Sequence, residues 1–333
     1  MKYSLIVPVY DRPDEIRDLL ESLAGQSSED FEIIVVEDGS SRPCGDVAAR
    51  FAAAHPHIPL KYLVKPNSGP GQTRNYGAEY AAGEYLIFLD SDVLVPPGYF
   101  NAIDGELERC PADAFGGPDR ADESFTPVQK AISYSMTSFF TTGGIRGGRR
   151  KLDKFYPRSF NMGVKKDLFK RLGGFSKMRF GEDIDLSIRV FESGSSCRLF
   201  PEAWVCHKRR TDFRKFFKQV HNSGIARINL YKKHPSSLKA VHMLPAAFTI
   251  SAAIMLICGF ICPWAWLPLL AYAALIFCDA LLVCRTGVEV AALSVAAAFV
   301  QLCGYGSGFL RAWWERCVLG RGEIQAYRKN FYK

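Results

Sequence analysis

Asp90-Ser91-Asp92 places two carboxylates two positions apart, directly after the apolar run Tyr85, Leu86, Ile87, Phe88 and Leu89. A run of that length, rich in aromatic and branched residues, predicts a strand buried on both faces. Carboxylates just beyond the carboxyl end of such a strand sit where open α/β sheets bind ligands. Hard oxygen donors suit Mg²⁺ or Mn²⁺, cations that neutralise a diphosphate. The competing interpretation is a plain turn, which Asp and Ser also build. A second acidic group, Glu182-Asp183-Ile184-Asp185, precedes Leu186 and Val190, which lie at helical spacing. A helix dipole favours acids in a first turn, but three acids in four residues exceed what capping needs. His207 opens the basic run His207-Lys208-Arg209-Arg210. A neutral imidazole there suits Mn²⁺, and an ordinary surface histidine beside three cations is the alternative.

These groups need a scaffold, and the first 95 residues supply one. Ser4 to Tyr10 predicts a buried strand closed by Asp11-Arg12-Pro13. Ile16, Leu19, Leu20 and Leu23 recur at helical spacing, so 13–26 predicts an amphipathic helix. Phe31 to Val36 is a second strand, ending at Glu37-Asp38-Gly39. Val47 to Ala54 is helical and Leu60 to Val64 is a third strand. A Gly/Pro loop, Lys65 to Gly71, then leads through a helix into the strand before Asp90. This alternation of strand and helix predicts an α/β fold with a mostly parallel, doubly wound sheet. Its loops bring Asp38, Arg74, Asp90 and Asp92 to one rim, a crevice of nucleotide size.

SLIVPVYDR, IIVVEDGSS, NSGPGQTRNYGAEYAAGEYLIFLDSDV and GEDIDLSIRV together resemble the family 2 glycosyltransferases of the nucleotide-diphospho-sugar transferase (GT-A) fold. The resemblance covers residues 1 to about 230 and involves four motifs in the right order. It implies a doubly wound mixed sheet followed by a helical membrane region. It also implies that Pro8, Tyr10, Arg12, Asp38, Asn67, Gly69, Arg74, Asp90 and Ser91 hold the nucleotide-sugar. By the same resemblance Asp92 and His207 bind the divalent cation, Asp183 is the general base and Glu182 contacts acceptor or sugar. Asn161, Met162, Gly163 and Arg210 would lie on the acceptor side, although a plain strand and turn also fits Asn161 to Gly163. Glu37 stands where many members have Asp. An inverting transfer needs cationic stabilisation of the departing diphosphate and a carboxylate to take the acceptor proton.

Residues 143–151 form a glycine-rich basic loop, either a lid over phosphates or a solvated surface loop. Phe213, Phe216, Phe217 and Val220 recur with Lys and Arg between them, which predicts a helix on the membrane surface. Gln219 and Arg227 are faintly like the acceptor-side motif of processive synthases, but the spacing and the missing Trp predict a non-processive enzyme.

The final hundred residues are far more apolar than the rest of a chain that is 48% hydrophobic. Stretches 244–262, 264–284 and 288–310 are each long enough for a hydrocarbon core of roughly 30 Å. Asp279 is the ionisable residue well inside one of them, paired within a bundle or lining a polar cavity. Trp264, Trp266, Trp313 and Trp314 suit interface belts. Basic residues flank both ends of this region, so the positive-inside rule puts both ends in the cytoplasm, whereas three full crossings would separate them. One stretch is then interfacial or re-entrant. The domain plan is 1–230 catalytic (1–95 nucleotide-binding, 96–210 acceptor half, 211–235 interfacial helix), 241–311 membrane-embedded and 312–333 a basic cytoplasmic tail.

A net charge of +8 suits an anionic lipid surface or a phosphate-bearing substrate. No basic helix or aromatic ribonucleoprotein pattern points to nucleic acid. The ten cysteines form no C-x-x-C pair or zinc grouping, so reduced thiols and a catalytic domain facing the cytoplasm are expected. The resemblance implies an inverting, metal-dependent transferase. It would move a sugar from a nucleotide-sugar, of UDP type, to a lipid-linked saccharide of surface-polysaccharide synthesis. The rivals are transfer onto a polyprenyl phosphate, as in dolichyl-phosphate mannose synthases, and a non-catalytic nucleotide-sugar-binding module.

Overall fold

The computed structural model describes residues 1–28, 30–120, 125–143, 155–207, 212–284 and 287–323. They fall into two compact units, one holding 1–120 and 155–207 and the other 125–143 and 212–323.

The first unit is built on β1 (Tyr3–Val9), β2 (Phe31–Asp38), β3 (Leu60–Lys65) and β4 (Tyr85–Leu89). These four are parallel neighbours in the order β3-β2-β1-β4. Beyond β4 the sheet turns mixed, with β6 (Ala114–Gly116), β8 (Asn161–Lys165) and β9 (Cys197–Leu199) added in the order β8-β6-β9. β8 runs antiparallel to β4 and pairs Asn161 with Leu89, so the start of β8 meets the carboxyl end of β4. The short strands β5 (Val93–Leu94), β7 (Asp119–Arg120) and β10 (Val205–His207) form a second sheet in the order β5-β10-β7.

Side-chain alternation along each strand decides which layer it serves. Leu5, Val7, Ile33 and Ile87 face helices α1 (Pro13–Ala24), α2 (Gly45–Ala54) and α4 (Tyr99–Arg109). Ile6, Ile34, Leu86 and Phe88 face α3 (Pro70–Glu79), α7 (Lys166–Arg171) and α8 (Glu182–Glu192). Helices on both faces explain why β1, β2 and β4 are buried along their whole length. α3 lies so close to the sheet that a Cβ on Gly77 would sit 2.7 Å from Ile6 and 2.9 Å from Val36. Strand β2 extends through Glu37 and Asp38, past the end that hydrophobicity alone marks, because both carboxylates are satisfied from neighbouring loops.

The second unit contains α5 (Pro127–Thr137), α6 (Phe139–Thr142), α9 (Phe213–Lys233), α10 (Leu244–Cys258), α11 (Leu267–Cys284) and α12 (Val288–Trp313). Among the described residues, three helices are long and apolar enough to cross a membrane, over Ala240–Cys258, Pro263–Val283 and Val288–Val318. Helix α12 packs through small residues. A Cβ on Gly304 would meet Val220 at 2.5 Å, one on Gly308 the His221 carbonyl at 2.0 Å, and one on Gly306 the Thr249 hydroxyl at 2.1 Å. Glycines on two faces thus let α9 and α10 approach the α12 backbone, the close packing that bilayer helices favour. Phe216, Val220 and Ile228 of α9 are buried while Phe217 stays half exposed. Much of the aromatic face expected on a membrane surface is therefore committed to other helices, Phe216 and Val220 packing with Ile132 and Met136.

Candidate active site

At the carboxyl rim of the sheet, Asp90 and Asp92 bracket the turn between β4 and β5, and each meets an arginine. Arg74 donates from Nη2 to Asp90 Oδ1 at 2.5 Å and from Nη1 to Glu182 Oε1 at 3.3 Å. The Arg74 guanidinium also lies over the Phe175 ring, 5.5 Å from its centroid. Arg12 donates to Asp92 Oδ2 at 2.6 Å. Ser91, between the two acids, is buried. The neighbouring Asn75 locks the Phe175 loop, donating to the Phe175 carbonyl at 2.8 Å and accepting from its amide at 2.8 Å. Asn75 and Arg74 are consecutive in one sequence motif, so the adjacency was the available signal for Asn75.

Asp38 is fully buried. It accepts from Lys65 Nζ at 2.7 Å and from the backbone amides of Ser68 and Gly69 at 2.9 Å each. Asn67 donates to the Asp38 carbonyl at 2.7 Å. Asp38 therefore shapes the loop before α3, whose first turn follows Gly69 at a φ of +88°, a conformation that favours glycine. Glu37 accepts from Cys44 N at 2.8 Å and Tyr62 Oη at 3.0 Å, and from the Ser40 hydroxyl. The longer acid thus reaches across to three groups. Asp11 completes the rim, accepting from the amides of Ser41 at 2.6 Å and Arg42 at 2.9 Å. The Arg42 amide contact is the main reason its carboxyl is held below the usual range. Pro8 is buried within β1 and Tyr10 is half-buried just beyond it.

The acids at the start of α8 divide their labour. Gly181, at a φ of +86°, turns the chain into the helix. Asp185 is fully buried and bound to Arg189 at 2.8 Å, and Arg189 also donates to the carbonyls of Leu172 and Gly174. That acid is structural. Glu182 and Asp183 are also buried, but each faces an arginine from elsewhere in the chain. Arg158 Nε donates to Asp183 Oδ2 at 2.6 Å, and the Ile184 amide donates to Oδ1 at 2.8 Å. A helix terminus stabilises a charge by about 0.3–1 kcal/mol, too little to offset burial of a carboxylate without such a partner. Burial would raise the Asp183 carboxyl, yet the Arg158 guanidinium outweighs it and holds the group below its ordinary value. Burial first, and then the Asp183 charge, push Glu182 up to about 7. Arg158, a lone arginine ahead of β8, carries no local sequence signal for this role.

Asn161, Met162 and Gly163 lie inside the sheet. Asn161 accepts from Tyr99 Oη at 2.6 Å and donates to the Ala203 carbonyl at 2.8 Å. Met162 belongs to the core, and a Cβ on Gly163 would sit 2.1 Å from the Phe115 ring. His207 pairs with Val93 across β10 and β5, one residue along from Asp92. The His207 side chain, Arg210 and residues 144–151 lie outside the described residues.

Asp90 and Asp92 offer hard oxygen donors two residues apart at the rim. That set fits a cation taking its remaining ligands from a diphosphate and water. Among the described residues, no group of three or more His, Cys, Asp or Glu forms a protein-only metal cage.

The sheet order, with its parallel half and antiparallel β8, defines a GT-A fold, and solved structures agree. The chain superposes on mannosyltransferase PcManGT from Pyrobaculum calidifontis, in complex with GDP-Man and Mn²⁺, at a TM-score of 0.65 and 18% identity, covering 95% of this chain and 88% of that one. It is also similar to S. aureus TarS 1–349 in complex with UDP-GlcNAc, at a TM-score of 0.51 and 18% identity, over 96% of this chain and 93% of that one. The family model described as glycosyl transferase family 2 matches residues 4–173. The chain belongs to that family. Among curated relatives, it is 29% identical over 245 residues to a pre-mycofactocin glycosyltransferase of Mycobacterium tuberculosis, covering 70% of this chain and 48% of the relative. It is 34% identical over 119 residues to the uncharacterized glycosyltransferase YibD of Escherichia coli, covering 34% of each. The chain thus spans about a third to a half of the length of these two relatives.

Proposed function

We propose that the chain is a membrane-attached, inverting, metal-dependent, non-processive glycosyltransferase. It moves a sugar from a nucleotide-sugar, of the UDP-linked kind, onto a lipid-linked saccharide held at the membrane. The observation that carries this is the Arg74 bridge, which fixes the Asp90 rim and the Glu182-Asp183 helix start as one cluster.

The loop shaped by Asp38, with Asn67 and Gly69, receives the base, alongside Tyr10, while Arg12 and Arg74 face the diphosphate. Asp92, with Asp90 beside it, would hold the divalent cation, which neutralises charge on the departing diphosphate. Asp183, kept ionised by Arg158, takes the proton of the acceptor hydroxyl. As that oxygen bonds to the anomeric carbon, the bond from this carbon to the phosphate oxygen breaks on the opposite face. The nucleoside diphosphate leaves with the electron pair. Glu182, held by Arg74, orients the sugar or acceptor. The apolar helices long enough to cross a bilayer, three among the described residues, support a lipid-borne acceptor.

The test is to incubate membrane fractions with nucleotide-sugars and lipid extract, then extract the lipid products. A new glycosidic bond on a lipid-linked saccharide supports the proposal. A sugar-phosphate-lipid product would replace it with transfer onto a polyprenyl phosphate.

A further inference from the structure

Tyr134 and Phe140 tie a broken helix from the middle of the chain to one of the apolar helices. Tyr134 Oη donates to Asp279 in α11, and Tyr272 Oη in α11 donates to the Phe140 carbonyl at 3.1 Å. Both anchor points lie inside the apolar span Pro263–Val283, about 10 Å apart along the helix at roughly 1.5 Å per residue. Tyr134 packs with Ile276, Ala280, Ala291 and Ala298 of α11 and α12. α5 and α6 are therefore tied to α11 at two points while α5 packs along α12, so whatever surrounds these two apolar helices also borders α5 and α6.

A second observation points to surroundings without water. The helix breaks at Ser138, whose backbone is extended at φ −62° and ψ 141°. Breaks free backbone groups, which water satisfies on an aqueous surface and side-chain hydroxyls must satisfy in hydrocarbon. Here the hydroxyls do so. Thr141 donates to the Ser135 carbonyl and Thr142 to the Met136 carbonyl at 3.3 Å, two acceptors left open where α5 ends. The Ser138 hydroxyl accepts from the Phe140 amide, left open at the start of α6, at 3.2 Å. While these polar groups turn inward, Phe139 and Phe140 stand 51% and 41% exposed. Leu275, on an exposed part of α11, is 44% exposed and so comparable.

We propose that α5 and α6 form a membrane-inserted segment whose Phe139 and Phe140 contact phospholipid acyl chains. This rests on the proposed membrane attachment of the chain, with α11 in the bilayer, and it adds a membrane contact from within the stretch that the family model matches. The polar pair Tyr134 and Asp279 then acts as the internal tie that lets an ionisable residue stay at bilayer depth.

The experiment places the photo-crosslinker p-benzoylphenylalanine, one site at a time, at Phe139, Phe140, Leu275 and the exposed sheet residue Val64. The full chain is reconstituted in vesicles of phosphatidylethanolamine and phosphatidylglycerol, irradiated, and its peptides are weighed for phospholipid adducts. Adducts at Phe139 and Phe140 comparable with Leu275, and at least about tenfold above Val64, are expected of side chains in hydrocarbon. Adducts at Leu275 with none at Phe139 and Phe140 would overturn the insertion of α5 and α6 while leaving α11 in the membrane. No adduct at any position would overturn both.

Discussion

Arg74 binds Asp90, 16 positions away in the chain, and Glu182, 108 positions away, through two nitrogens of one guanidinium. The donor rim and the proposed catalytic helix start are therefore held by a single buried side chain.

Arg74→Ala leaves two carboxylates facing each other without their shared cation. Removing one partner of a buried ion pair costs about 3–5 kcal/mol. A drop in unfolding temperature is expected, with sugar transfer lost at least about 100-fold, the scale of a lost charge-stabilising donor. Arg74→Lys has no fork to span both acids, and should recover stability more than turnover. Thermal unfolding and donor-turnover assays on the same preparations check this.

Glu182, pushed up to about 7, holds its proton more tightly in the folded chain than in the unfolded one. Its contribution to stability is therefore greatest below the ordinary carboxyl range and declines as pH rises through about 7. Asp183 works in the opposite sense, because its lowered carboxyl stabilises the fold at neutral pH and loses that effect only in acid. Sugar transfer by the wild-type chain should show an inflection near pH 7 that Glu182→Gln abolishes. An unchanged inflection in that variant would assign it elsewhere.

Arg12 neutralises Asp92 at 2.6 Å, and so competes with any cation for that carboxylate. Arg12→Ala should lower the Mn²⁺ concentration needed for half-activation several-fold while raising the KM for the nucleotide-sugar. Titration of Mn²⁺ at saturating donor, and of donor at saturating Mn²⁺, separates the two effects.

Gly308 admits the α9 backbone to α12, and a Cβ there would meet the His221 carbonyl at 2.0 Å. Gly308→Leu forces the two helices apart, a cost of about 1–3 kcal/mol on the scale of overpacked sites. The detergent-solubilised variant should unfold at a lower temperature, whereas Gly322→Leu, where nothing lies within 4 Å, should leave it unchanged.

Much of this arrangement was legible in the sequence because its signals are local. The five apolar residues of β4 ended where Asp90 begins, and the spacing of Leu186 and Val190 placed Glu182 and Asp183 at a helix start. The long-range pairings had no such signal. Arg158 reaches Asp183 across 25 positions, and Lys65 reaches Asp38 across 27, through contacts that only the folded chain creates. Asn161 has the appearance of a pocket residue, yet Tyr99 and Ala203 use both ends of its amide. The Ser- and Thr-rich break at Ser138 carries no hydrophobic periodicity, and its hydroxyls bond backbone carbonyls a few residues back, a pattern with no local sequence signal.

In the proposed reaction Asp183 takes the acceptor proton as a sugar is transferred from a nucleotide-sugar. The most direct test compares wild type and Asp183→Asn for nucleoside-diphosphate release from a panel of nucleotide-sugars, with Mn²⁺ and with EDTA, alongside donor binding by calorimetry. The wild-type chain should turn over one donor, with activity lost in EDTA. Asp183→Asn should bind that donor with similar affinity and lose about 100- to 10,000-fold in rate, the range of a general base. Undiminished turnover by Asp183→Asn would contradict the assignment. Donor binding with no release by the wild-type chain, lipid extract supplied as acceptor, would contradict catalysis itself.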